Sequence, residues 1–283
     1  MSKRTFSEEL IYAKQHSYAV GAFNIFNELS ARAVVKAAVS LDTPVILQTS
    51  VTTIKQLGVE SLGAMLKQVK KEAPVNVLIH LDHCRDLSLA KRCIDDGWDA
   101  IMYDGSALPF EENIANCKEI AAYAHAKNVC VEGELGRISG VEDDIQVDSE
   151  NASGASLSES LEFVRTADID AFAPSIGTAH GVYKGVPHID FNLVEQLARE
   201  IDTPIVIHGG TGLSEETFRR LIRSGASKVN VSTALKHAYL DNAKEYFKIN
   251  PTKIDPLDFD KYLSNHIENA AKTHMEIFRK DRN

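Results

Sequence analysis

Eight short runs rich in Val, Ile and other strand-forming residues recur along the chain, separated by segments with apolar residues at three- and four-residue steps. The runs are YAVGAF (18–23), PVILQTS (44–50), VNVLIHLD (75–82), AIMYDG (100–105), VCVEGEL (129–135), AFAPSI (171–176), PIVIHGG (204–210) and KVNVST (228–233). Between them, LSLAKRCIDDG from Leu87 and FRRLIRSG from Phe218 read as amphipathic helices that end at Gly97 and Gly225. Strands that are nearly continuous aliphatic runs are expected where helices cover one face and other strands' side chains cover the other. Eight such βα units predict a closed (β/α)8 TIM barrel. An open doubly wound sheet, the main rival, would usually show fewer strands.

Thr5 and Glu8 have capping-box spacing before an apolar stripe, which predicts an extra N-terminal helix. A C-terminal helical extension is expected from about Asp258 toward Arg279. The segment 136–156, GRISGVEDDIQVDSENASGAS, is polar and far longer than an ordinary βα loop, so it reads as a mobile active-site loop above the barrel. Residues 1–283 otherwise read as a single barrel domain.

Composition narrows the partners. With 31 Lys and Arg against 40 Asp and Glu the net charge is −9, and no basic face for nucleic acid is expected. Cys84, Cys93, Cys117 and Cys130 lack C-x-x-C spacing and read as reduced thiols of a cytoplasmic protein. Neither a signal peptide nor a membrane-spanning run is apparent, so no membrane partner is expected.

Chemistry in such a barrel gathers at the C-terminal ends of the strands. Those ends deliver Asn24, Ser50, Asp82, His83, Asp104, Glu134, His180, Gly181, His208, Gly209, Gly210, and Asn230 to Thr233. Taken singly, each histidine reads as a structural hydrogen-bonder. His83, His180 and His208 on one face instead read as three imidazole ligands of a catalytic zinc with an open fourth position. Asp82 suits either an acid/base role at that position or the orientation of a ligand histidine. Asp104, Glu132 and Glu134 could hold a second cation or simply balance charge. His80 reads as structural.

HGGTG (208–212) and NVST (230–233) follow the last two strands, where barrels of this kind bind phosphate. GTAHGVYKG (177–185) adds Gly181 and the cationic Lys184. A metal beside a phosphate site suits retro-aldol cleavage of a sugar phosphate. A Schiff-base route would need a lysine projecting into the barrel, and Lys228 is placed by the sequence at the wrong end of its strand.

VGAFNI (20–25), LDH (81–83), YDGS (103–106), VEGELG (131–136), GVEDD (140–144), GTAHGVY (177–183), HGGTG and KVNVST together resemble the metal-dependent, class II fructose/tagatose-bisphosphate aldolase family. The compact length is similar to its shorter branch, which includes tagatose-bisphosphate aldolases. The resemblance implies zinc on His83, His180 and His208, Asp82 as proton donor and acceptor at the hydroxyl of the cleaved bond, and Glu142 at the carbon that becomes the enediolate. It implies that Gly181, Gly209, Gly210, Thr211, Asn230, Ser232 and Thr233 hold the dihydroxyacetone phosphate half with Lys184 nearby, that Asn24 and Val231 also bind substrate, and that Ser50 lies near the other phosphate. Asp104 and Glu134 match positions that bind a second cation in some relatives. A monovalent cation, Na+ or K+, and a homodimer or homotetramer are implied in the same way.

The cationic partner of the aldehyde-end phosphate is sought among Lys272, Arg279 and Lys280. The implied substrate is a ketose 1,6-bisphosphate, fructose or tagatose, cleaved to dihydroxyacetone phosphate and glyceraldehyde 3-phosphate. A related phosphorylated keto-sugar acid, of the inositol-breakdown type, and a non-catalytic sugar-phosphate sensor are the alternatives.

Overall fold

In the computed structural model, which describes residues 3–142, 145–147, 153–181 and 188–279, all eight β-rich runs become strands of one closed, parallel barrel. Along the chain they are β1 (Val20–Asn24), β2 (Val45–Ser50), β3 (Val77–Cys84), β4 (Ala100–Tyr103) and β5 (Cys130–Leu135), then β8 (Ala171–Pro174), β10 (Ile205–Ile207) and β11 (Ala226–Val231). β1 pairs with both β2 and β11, which closes the barrel.

The remaining strands, β6 (Ser139–Glu142), β7 (Ile145–Val147) and β9 (Ala179–His180), form a small sheet over the barrel mouth. No strand is predicted from sequence in the 136–156 loop. There β6 and β7 pair as an antiparallel hairpin, and β6 runs parallel to β9 with Gly140 opposite His180. A Cβ at Gly140 would lie 2.1 Å from the His180 carbonyl oxygen, so only glycine permits this approach.

The helices α1 (Phe6–Gln15), α2 (Glu28–Leu41), α3 (Val51–Leu57), α4 (Val59–Glu72), α5 (Leu87–Asp95), α6 (Phe110–His125), α7 (Leu157–Ala167), α8 (Phe191–Glu200), α9 (Glu215–Arg223), α10 (Thr233–Ile249) and α11 (Pro256–Phe278) surround the strands. The expected capping box is present on α1: Thr5 Oγ1 accepts from Glu8 N, and the Glu8 carboxylate accepts from Thr5 N. α11 buries Leu263, Ile267, Ala271, Met275 and Phe278, a stripe at helical spacing. No helix among the described residues is long and apolar enough to cross a membrane.

Two apolar clusters divide the molecule. The larger lies between the strands and the outer helices. The smaller lies inside the barrel floor, where Phe6, Leu10 and Ala13 of α1 meet Val20, Ala22, Ile46, Leu78, Ala100, Ala171, Ala173 and Val206. Four alanines at that level leave space that the Phe6 ring fills, so α1 acts as a plug. Phe6→Ala should therefore destabilise the protein by about 3–5 kcal/mol, as for other buried Phe truncations. Urea unfolding would measure this, and a midpoint equal to the wild type would refute the plug.

Candidate active site

The inward faces of the strands change character from floor to mouth. Val20 and Ala22 lead to Asn24 on β1, Ile46 to Gln48 and Ser50 on β2, and Leu78 to His80 and Asp82 on β3. β5 contributes Glu132 and Glu134 to the same interior, and β11 contributes Lys228 and Asn230. All these polar side chains are buried, so each must find a partner.

Lys228 corrects the sequence-based placement. It projects into the barrel interior, where Nζ lies 2.8 Å from Glu132 Oε2 and donates to Asn230 Oδ1 at 2.8 Å. With its ammonium committed to these two groups, it stands beneath the mouth as a counterion. Glu132 is completely buried. Burial alone would raise its pKa, but Lys228, the hydrogen bond from His208 and the His80 ring 3.4 Å away overrule that and hold the carboxyl well below its ordinary range.

Asp82 is gripped by two amides. Asn24 Nδ2 donates to Oδ2 at 2.8 Å and Asn230 Nδ2 donates to Oδ1 at 3.2 Å. Gln48 Nε2 donates to Asn24 Oδ1 at 2.6 Å, as Lys228 does to Asn230. Since an ammonium only donates, Asn230 must turn its carbonyl to Lys228 and its NH2 to Asp82. The carboxylate is thus fixed in orientation at 1% exposure.

Strand period would turn Asp82 and His83 to opposite faces. A register shift between Leu81 and Cys84, with His83 at φ +45°, breaks the alternation and lets both face the mouth. There His83, His180 and His208 converge, with one candidate ligand atom from each within 4.8 Å of the others. His208 Nε2 donates to Glu132 Oε1 at 2.8 Å, which leaves the Nδ1 lone pair facing His83 Nε2 at 3.0 Å. Two facing ring nitrogens suit a shared metal ion, and the carboxylate behind His208 is the usual support for a ligand imidazole. Burial pushes His208 down to about 4, so the ring is neutral and able to ligate at neutral pH. The chemistry of this donor set, three imidazoles with an adjacent carboxylate, fits zinc.

A second cluster shares His83. Asp104 Oδ2 lies 3.5 Å and Glu134 Oε2 4.0 Å from His83 Nδ1. Burial would raise the Asp104 pKa, but His83 and Arg85 outweigh it and hold the carboxyl below its usual range. Glu134 moves the other way, raised by burial and by the negative charge of Asp104. Arg85, which the sequence analysis did not single out, pairs with Asp104 across 19 residues, a proximity only the fold creates.

The glycine-rich end is tightly packed. Gly209 has φ +70°, and a Cβ there would lie 2.5 Å from the Ala179 carbonyl oxygen, so the loop after β10 presses directly on β9. Ser232 precedes α10 without a side-chain cap, and its buried hydroxyl finds no partner among the described residues. Thr233 opens that helix, Gly181 follows β9, and Thr211 lies two residues beyond Gly209. Val231 packs its side chain outward among the helices, leaving only its backbone toward this end. Ser50 accepts from Thr53 N at 3.3 Å as the N-cap of α3.

Glu142 belongs to β6 by its backbone, but its side chain lies outside the described residues, as do Lys184 and Lys280. Arg279 is placed on the barrel floor beside Pro44 and Asn76, at the opposite end from the mouth. It follows α11, whose Phe278 carbonyl accepts from Ala19 N just before β1, so within this chain it is not the cation of the aldehyde end.

Comparison with known proteins agrees with this architecture. The family model of class-II fructose-bisphosphate aldolases matches residues 4–283. Over 252 residues the chain is 38% identical to the D-tagatose-1,6-bisphosphate aldolase subunit GatY of Klebsiella oxytoca, covering 89% of each chain. Over 241 residues it is 37% identical to the sulfofructosephosphate aldolase of Alkalicoccus urumqiensis, covering 85% of this chain and 84% of that one. The crystal structure of the YdjI aldolase from Escherichia coli K12 superposes with a TM-score of 0.86 at 26% identity, covering 99% and 98% of the two chains.

The buried ion pair makes a measurable demand. Lys228→Met should strand the Glu132 charge and destabilise the fold by about 3–5 kcal/mol, read as a lower urea midpoint. Adding Glu132→Gln to that variant should recover part of the loss. A Lys228→Met midpoint equal to the wild type would mean that Glu132 is not held as an anion.

Proposed function

Because the chain belongs to the class-II fructose-bisphosphate aldolase family, a family of carbon–carbon lyases, we propose that it cleaves a ketose 1,6-bisphosphate reversibly to dihydroxyacetone phosphate and glyceraldehyde 3-phosphate. The observation that carries the reading is the convergence of His83, His180 and His208 at the mouth where Asp82 is held rigid by two amides. Zinc on the three imidazoles would supply Lewis-acid polarisation of the substrate carbonyl.

In this reading Asp82 accepts the proton of the substrate's C4 hydroxyl as the C3–C4 bond breaks, C4 becomes the aldehyde carbon, and the electron pair stays on C3 as the enediolate of the dihydroxyacetone phosphate half. Glu142 delivers the proton to the carbon left nucleophilic. In condensation each transfer runs backward. The uncapped N-terminus of α10 and the unpartnered Ser232 hydroxyl support a phosphate at that end. Gly181, Gly209, Gly210, Thr211, Asn230, Val231, Thr233 and Lys184 complete the triose-phosphate subsite, and Ser50 faces the second phosphate. Asn24 and Asn230 serve chiefly by aiming Asp82. A sodium or potassium ion and a cytoplasmic setting belong to the same reading.

Triose-phosphate release from fructose 1,6-bisphosphate and from tagatose 1,6-bisphosphate, measured before EDTA, after it and after zinc is returned, tests the proposal. Cleavage should vanish with EDTA, return with zinc and be absent in His83→Ala. The ratio of the two rates names the substrate. No cleavage of either by zinc-loaded enzyme would overturn the bisphosphate assignment and direct the assay to a phosphorylated keto-sugar acid.

Self-association into a homodimer or homotetramer is supported by exposed Phe247, Ile249, Ile254 and Leu257 around the turn between α10 and α11. Light scattering should give two or four times the chain mass. A monomer at micromolar concentration would refute it.

A further inference from the structure

Asp104, Glu134 and His83 together have the donor types of a second cation site, and their candidate ligand atoms also lie within 4.8 Å of one another. Who fills it is decided by counting acceptors on Asp104. Oδ2 accepts from Arg85 Nε at 3.0 Å and lies 2.9 Å from Arg85 Nη2. Oδ1 accepts from Ser106 N at 3.1 Å and from Ser106 Oγ at 2.6 Å. A carboxylate offers about four lone-pair positions, and these four donors occupy them. A metal ion reaches Asp104 only if Arg85 leaves.

Charge points the same way. Asp82, Asp104, Glu132 and Glu134 are four buried acids around one mouth. Lys228 and Arg85 already set two positive charges against them, and a second divalent ion beside the Arg85 guanidinium would place positive charge against positive charge in a poorly hydrated site. Glu134 Oε2 accepts no hydrogen bond among the described residues and lies 3.4 Å from His208 Nδ1, on the histidine side of the cluster.

We propose that Arg85 is the resident cation of the Asp104–Glu134–His83 cluster and limits the protein to one divalent ion per chain. This rests on the reading of the three histidines as the zinc site. Arg85 acts as a specificity-determining residue for metal stoichiometry: its guanidinium takes the place that the carboxylates would otherwise give to a metal. Its side chain is 46% exposed, so the pair with Asp104 is partly screened and removing the guanidinium leaves a solvent-accessible route to the carboxylates.

The test is zinc titration of the full chain, followed by isothermal calorimetry and by metal analysis after gel filtration. Wild type should bind one tight zinc per chain. Arg85→Met should bind two, with the second site tightened about 10- to 100-fold relative to wild type, the worth of the lost charge-assisted hydrogen bonds. Arg85→Lys, which keeps the charge, should stay near one. Adding Asp104→Asn to Arg85→Met should remove the second ion again, and serves as the folding-matched control. Two tight ions in wild type, or one in a folded Arg85→Met, would overturn the proposal. If Arg85→Met does not fold, the Arg85→Lys titration decides, since two tight ions there refute the resident-charge argument and one supports it. No zinc in the wild type would instead defeat the histidine site itself, which separates the two failures.

Discussion

The ionised carboxylate of Glu132 at the centre of the barrel is the constraint on which the rest of the mouth depends. It has no contact with solvent, and it is tolerable only because Lys228, His80 and His208 surround it. Each of those partners transmits order upward. Through His208 the carboxylate selects a tautomer and so aims Nδ1 at the shared histidine site. Through Lys228 it fixes an ammonium that in turn fixes the Asn230 amide and, one bond further, Asp82. The pair thus couples the orientation of Asp82 to that of His208 without itself reaching the mouth. A hydrophobic replacement of similar volume could support the fold, but it would leave His208 and Asn230 free to rotate.

Below this layer the barrel is apolar and plugged, and above it the backbone departs from regular strand. The transition is abrupt because strand geometry gives each strand only two or three inward positions above the floor. β3 gains one more by the bulge at His83, whose left-handed conformation costs of order 1–3 kcal/mol for a non-glycine residue. That cost is offset by placing an acid and an imidazole side by side on one strand, which unbroken alternation forbids. The rigid layer around Glu132 supplies the surroundings needed to hold such a conformation.

The strands were legible because each is a compact aliphatic run, and α1 was legible from Thr5 and Glu8 alone. The three histidines stood out because each follows a strand end, where barrel geometry collects side chains whatever their separation in sequence. Lys228 was misplaced because a residue near the start of KVNVST looks close to the floor, whereas β11 begins two residues earlier, at Ala226. The β6–β7 hairpin was hidden because its partner, β9, lies nearly forty residues away and its own sequence, SGVEDDIQV, is interrupted by Gly140, Asp143 and Asp144. Arg85 carried no local signal either, since a lone arginine after a strand gains meaning only when β4 brings Asp104 beside it.

The two ends of the mouth are built on different principles. At the β10–β11 end, positive-φ glycine, an open helix terminus and an unpartnered Ser232 hydroxyl present backbone and small donors, surroundings in which a phosphate would be held largely by shape and dipole. At the β2 end, Ser50 already caps α3, and Arg279 lies on the opposite face of the barrel. The first end is therefore suited to a fixed group common to many ketose phosphates. On the proposed function, discrimination among substrates would fall on the second end, where sugars differing at one hydroxyl or at the terminal anion would meet the side chains of the β2 and β3 loops. A site with one preformed end and one variable end is consistent with a family whose members carry different substrate names over the same barrel.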